Sequence, residues 1–189
     1  MSDQKKEPRE EKAPSTLTAL LKEKPKRGRP PRSVSRKNVY VALSKEHKEV
    51  MSQLSRELPG WLSRSDLPDL AITILYARME ALRKAVADRD REIPEGITDL
   101  ESLYLLWDLP LPEKNNNEKW TSIRVSPQQS IELGRVHGTL KVLFGTNRSQ
   151  AFALGLALLS QYLHTNDIGE LENIDSLTQL QQYIRNNIL

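Results

Sequence analysis

The residues able to do chemistry in this chain are cations and hydrogen-bond donors rather than nucleophiles. The stretch Lys24 to Arg32, with Lys26, Arg27, Gly28, Arg29, Pro30 and Arg32 at its centre, gathers positive charge on a short proline-containing segment suited to a polyanion. Two short triplets, Ser63-Arg64-Ser65 and Asn147-Arg148-Ser149, stand before apolar helical runs. Free backbone N–H groups at such starts donate either to a side-chain cap or to an anion. Bond-making chemistry finds little support. There is no Cys, hence no disulfide or thiolate metal site, and a reducing interior suits the chain. His47, His137 and His164 lie far apart without ligand spacing, and no Ser, His and acid cluster is suggested. Gly134 and Gly138 fall inside a helical pattern, so they read as marks of close packing rather than as a nucleotide-binding loop. The expectation is a non-enzyme with no metal and no cofactor.

Charge separates the chain into two parts. Residues 1–37 hold twelve Lys/Arg against five Asp/Glu, a net +7, while the rest holds sixteen against twenty, a net −4. Any polyanion contact must therefore use the tail and a small local patch on a mildly acidic body. The start of the chain is polar, with no signal-peptide core, and the longest apolar run, Ala151 to Leu159, is far too short to span a bilayer. These features predict a protein of the cytoplasm, associated with nucleoid or plasmid rather than membrane.

The elements that must position these groups are organised around a short strand that occurs twice. In Asn38-Val39-Tyr40-Val41-Ala42-Leu43-Ser44, Val39, Val41 and Leu43 share one face and Asn38, Tyr40 and Ala42 the other. In Trp120-Thr121-Ser122-Ile123-Arg124-Val125-Ser126, Ile123 and Val125 point one way and Trp120, Ser122 and Arg124 the other. A lone strand of this length does not stand in water, so the simplest partner of each copy is the other.

Helices follow each strand. Ser44 is placed to cap a helix over Lys45 to about Leu58, which Pro59-Gly60 breaks, and a second helix runs from about Asp66 to Val86. Ser126-Pro127 opens a helix ending at Gly145, and the run from Ala151 to Leu159 lies in the last helix of this half. The second helix of the first half is apolar nearly all round at first and polar later, and the run Ala151 to Leu159 is apolar all round, which asks for burial on several sides. Residues 88–118 connect the halves. Thr98 to Glu101 there has capping-box spacing before a short helix whose face Leu103, Leu106 and Trp107 should pack on the body. The C-terminal stretch carries Ile174, Leu177, Ile184 and Ile188 near one helical face, able to cap the core or to pair with another copy, and pairing is the slightly favoured expectation.

The order strand, helix, turn, helix, found twice, resembles the ribbon–helix–helix domains of the Arc and MetJ repressors over roughly residues 37–87 and 119–165. The resemblance implies a mainly α fold with a two-stranded antiparallel ribbon, the two units fused in one chain as an intramolecular pseudo-dimer. Residues 1–36 form a disordered basic tail in this reading, and 166–189 a helical extension. It also implies that the ribbon enters the major groove of double-stranded DNA. Asn38, Tyr40, Ala42, Trp120, Ser122 and Arg124 would face base edges, with Arg124 suited to guanine and Asn38 to adenine. Ser63, Arg64, Ser65, Asn147, Arg148 and Ser149 match the family's phosphate anchors. Pro68 departs from the pattern and shifts the expected helix start later. Separately, Arg27 to Pro30 resembles the Arg-Gly-Arg-Pro core of an AT-hook, which lies in A·T-rich minor grooves, although Lys26 stands where many hooks carry proline.

These resemblances imply a sequence-specific DNA-binding regulator of the repressor kind. The alternatives are a plasmid partition or maintenance factor, or an antitoxin-like scaffold whose tail alone touches DNA. Each phosphate neutralised adds about 0.9 to the slope of log affinity against log salt. Deleting residues 1–36 is therefore expected to flatten that slope while leaving base preference intact. Binding titrations at three or four salt concentrations check it, and loss of preference would make the tail the reader.

Overall fold

Each strand finds its partner in the other copy. β1 (Lys37–Leu43) and β2 (Lys119–Val125) form an antiparallel two-stranded sheet with Tyr40 opposite Ser122 at its centre. The computed structural model describes residues 35–86, 93–112, 117–166 and 174–188; the Lys26–Arg32 stretch lies outside them. The described residues are mainly helical and belong to one compact unit. Among them the helices are α1 (Lys45–Glu57), α2 (Leu67–Ala85), α3 (Leu100–Leu106), α4 (Pro127–Phe144), α5 (Arg148–Thr165) and α6 (Leu177–Ile188), with a single 3-10 turn at Arg64–Asp66. No described helix is long and apolar enough to cross a membrane.

Local chemistry explains where these elements begin and end. Ser44 Oγ accepts the His47 N–H at 3.2 Å, and the His47 ring in turn accepts the Ser44 N–H at 3.3 Å. This reciprocal cap starts α1 immediately after β1. Pro127 opens α4 where no intrahelical N–H is needed, and Gly145 closes it at φ 67. Pro68 is accommodated in the first turn of α2, and the 3-10 turn covers the residues before it. The connector differs from expectation in two respects. Asp99, not Thr98, caps α3, its carboxylate accepting the Ser102 N–H at 2.7 Å. Leu103, Tyr104 and Trp107 are buried and Leu106 is exposed, because a 3.6-residue period sets Tyr104 beside Leu103 and turns Leu106 outward.

Packing is carried by the two helices that are apolar all round. α2 lies against α5 as its most extensive helical neighbour, α1 packs mainly on α5, and α4 packs on both α2 and α5. The buried strand residues Val39, Val41, Leu43, Ile123 and Val125 join the same core as Leu70, Ile74, Phe152 and Leu158. The α2–α5 crossing is close. A methyl group at Gly155 would sit 2.9 Å from the Ala71 carbonyl oxygen and 3.4 Å from Leu75 Cβ. Gly134 and Gly138, read above as close-packing marks, instead have open space where a side chain would go.

The C-terminal helix turns inward. Leu180 and Ile184 of α6 are fully buried, Gln181 Nε2 donates to Thr73 Oγ1 of α2 at 3.1 Å, and Arg185 pairs with Glu132 of α4 at 2.6 Å. The apolar face expected to pair with another copy therefore covers the chain's own core. Two glycine substitutions test this packing. Gly155→Ala is expected to destabilise by about 1–3 kcal/mol through overpacking against backbone. Gly134→Ala is expected to stabilise by about 0.5–1 kcal/mol by removing glycine's excess unfolded-state freedom. Urea unfolding of both variants beside the unmodified chain reads the two signs.

Candidate nucleic-acid interface

The strand register decides which outward residues become neighbours. Asn38 faces Arg124, Tyr40 faces Ser122 and Ala42 faces Trp120. Directly opposed side chains on one face of such a pair stand with Cβ atoms about 5 Å apart. The inward set is buried, while Asn38, Tyr40, Trp120, Ser122 and Arg124 are exposed and Ala42 is half-buried. Tyr40 and Trp120 keep 64% and 75% of their surface open. All six residues expected on the reading face thus share one face as three cross-strand pairs. Arg124 and Asn38 bring a guanidinium and an amide together, both able to make two parallel hydrogen bonds.

Neither strand contains an acid, and Lys37 and Lys119 are exposed at the strand starts. The ribbon is therefore locally cationic on a body of opposite net charge. Sequence reasoning passed over these two lysines because each sits on the parity of the buried face. The available signal was a full charge at the first residue of a strand, where alternation need not hold.

The two helix starts differ. At the first, Ser63 Oγ donates to Asp66 Oδ2 at 2.6 Å and lies 2.7 Å from Ser65 Oγ, and the Ser63 N–H donates to the same carboxylate at 2.8 Å. Arg36 donates to the Ser65 carbonyl and pairs with Asp66, and it stands 3.1 Å from the fully buried Asp69. Burial pushes the Asp66 carboxyl up, but hydrogen bonds from Ser63 and the Arg36 guanidinium outweigh it, leaving its pKa below the ordinary value. The expected anchors Ser63 and Ser65 thus sit in a network already holding carboxylates. Arg64 remains exposed.

At the second start the surroundings are positive. Asn147 Oδ1 accepts the Gln150 N–H at 2.9 Å, Gln150 Oε1 accepts the Asn147 N–H at 2.8 Å, and Arg148 is exposed. No acid lies in the first turn of α5. Burial, followed by Arg148 and Lys141, holds the pKa of His137 below its ordinary value. Ser149 is the exception among the expected anchors, since it is buried and its Oγ accepts the Ala42 N–H at 2.8 Å. Its side chain fastens β1 to α5 instead of pointing to solvent. Asp69 does the matching work across the sheet, accepting the Ser126 N–H at 2.9 Å just after β2.

Among the described residues no three His, Cys, Asp or Glu side chains converge on a metal-binding position. Compared with protein-family models, curated proteins and solved structures, the chain gives no match.

The cap behind the ribbon is sensitive to pH. Burial lowers the pKa of His47 from 6.5, against the opposing pull of Glu118 and Glu46. A lowered folded-state value means that the unfolded chain takes up the proton first. The stabilisation is complete above about pH 6.5 and declines as pH falls from there toward the folded-state value. His137 shifts in the same direction. The contribution of Asp66 is complete above its unfolded value of 3.8 and is lost only at more acid pH. Stability measured by urea is therefore expected to fall between pH 7.5 and 5. His47→Gln, which retains an acceptor for the cap, should shrink that fall. An unchanged fall in both His47→Gln and His137→Gln would refute the assignment.

Proposed function

We propose that the chain is a fused ribbon–helix–helix pseudo-dimer that binds double-stranded DNA with sequence specificity, laying its two-stranded ribbon in the major groove as a repressor-like regulator. The observation that carries this reading is the ribbon face, with three opposed pairs of outward side chains over a buried inner face and no carboxylate in either strand. Its support comes also from the crosswise packing of α1 on α5 and α4 on α2, the arrangement expected when two such units share one core.

The two halves are not equivalent in this reading. Arg124 and Asn38 supply directed hydrogen bonds to base edges, while Tyr40 and Trp120 offer apolar contact, including to a thymine methyl group. The start of α5, with Arg148 exposed and no acid in its first turn, serves a phosphate better than the carboxylate-filled start of α2. Lys37 and Lys119 add phosphate contacts at the ends of the ribbon. An asymmetric site is the natural target of such a surface, because its two strands differ at every outward position. A maintenance or partition role would use the same surface.

A second reading draws on a specific observation. Two large aromatic side chains exposed on one ribbon face, above a body of net negative charge, also suit a protein partner. Under that reading the tail alone would touch DNA.

Arg124→Ala separates the two. The DNA reading expects about 1–3 kcal/mol lost at one base position and relaxed preference there. Selection from a random duplex pool near physiological salt, carried out with both proteins, provides the measurement. No enriched site from the unmodified chain, or an Arg124→Ala profile identical to it, would sink the ribbon as reader.

A further inference from the structure

The exposed aromatic residues of this chain are confined to the ribbon. Tyr40 and Trp120 are 64% and 75% open, and every other aromatic residue is buried or half-buried. A duplex uses such rings poorly. Its base faces are stacked on one another, so a side chain in the major groove meets base edges and thymine methyl groups. The flat faces of the two rings, their largest apolar area, match a different surface, the face of an unpaired base.

The register sets the rings in line with cations. Along the outward face the pairs are Asn38 with Arg124, Tyr40 with Ser122 and Ala42 with Trp120. Arg124, Tyr40 and Trp120 therefore follow one another at two-residue steps, about 7 Å each along the ribbon. Neighbouring bases in a duplex strand are only about 3.4 Å apart. Each ring thus meets a base of its own where the strand is drawn out and unpaired. Lys37 and Lys119 stand exposed at opposite ends of the sheet, so the pair of rings has a cation beyond it on both sides. Neither strand holds a carboxylate. The nearest acid in sequence, Glu118, lies before β2 begins and acts on His47 at the start of α1. Three cations with no acid among them suit a polyanion better than a protein surface.

We propose that the ribbon binds single-stranded DNA, stacking one base on Tyr40 and one on Trp120 while Arg124, Lys37 and Lys119 hold phosphates on either side. Stacking tolerates any sequence because every base has a flat face, so this mode carries little base preference. The choice of DNA over RNA rests on the duplex reading above; the single-strand mode itself needs only the ribbon face.

Fluorescence anisotropy titrations of the full chain near physiological salt test it. The probes are a labelled oligothymidylate of about twelve nucleotides and an oligomer of equal length and charge whose sites are all abasic. The basic tail senses charge and binds the two alike, so the difference between them isolates stacking. The thymidylate is expected to bind at least about tenfold more tightly. Trp120→Leu and Tyr40→Leu, both at exposed positions, should each weaken it about fivefold or more and leave the abasic oligomer unchanged. Trp120→Phe, which keeps a ring, should retain most of the advantage. The thymidylate should also quench tryptophan fluorescence through Trp120, because Trp107 is buried and Trp61 half-buried. The proposal is overturned if thymidylate and abasic oligomer bind alike, if the two Leu variants leave thymidylate affinity unchanged, or if the quenching survives Trp120→Leu. The base profile of Arg124→Ala on duplex decides the duplex reading separately, and either reading can fail while the other stands.

Discussion

The crossing of α2 and α5 is the constraint on which the rest of the molecule depends. The first part of α2 and most of α5 are buried on several sides, and each would expose a large hydrophobic surface without the other. Close contact at Gly155 and Ala71 lets the two backbones approach, so the flanking leucines and isoleucines interdigitate. The remaining helices then have a two-sided base to pack against. The strands follow, because β1 and β2 bury their inner faces only on top of this pair.

Two polar ties lock the ribbon to that base. Ser149 at the start of α5 accepts from β1, and Asp69 in the first turn of α2 accepts from the residue after β2. They are chemically unequal, a hydroxyl on one side and a carboxylate on the other. The buried carboxylate of Asp69 needs a cation nearby, which Arg36 provides. That requirement makes the starts of α2 and α5 electrostatically different. The α2 start is closed by an internal ion network, whereas the α5 start is surrounded by Arg148, Lys141 and His137. An anion meets two different surfaces, and the proposed nucleic-acid contact is correspondingly one-sided.

The connector and the C-terminal helix complete the core in different ways. α6 lies on α2 and seals it with Leu180 and Ile184. On the α1–α5 side the turn after α3 covers the helices less fully and leaves a cavity at Tyr104. The same architectural need, covering an all-apolar helix, is thus met by a helix on one side and by a shorter turn on the other.

Much of the fold was legible in the residues themselves. Alternation in 38–43 and 120–125 specified both strand faces, Pro127 and Gly145 bounded α4, Ser44 marked the start of α1, and the absence of polar stripes in α2 and α5 required that they be central. These features depend on backbone geometry within a few residues, so periodicity and capping chemistry suffice to read them. Other features needed partners some thirty to more than a hundred positions away. Ser149 reads locally as a cap or anchor, yet Ala42 claims it; Ser63 and Ser65 are drawn into a network with Arg36; Leu180 and Ile184 of α6 are buried in the chain's own core beside a Gln181 to Thr73 hydrogen bond. The close approach at Gly155 belongs to the same class. A residue's own type sets what it can bond to, but which group is within reach is decided only when distant segments share one core.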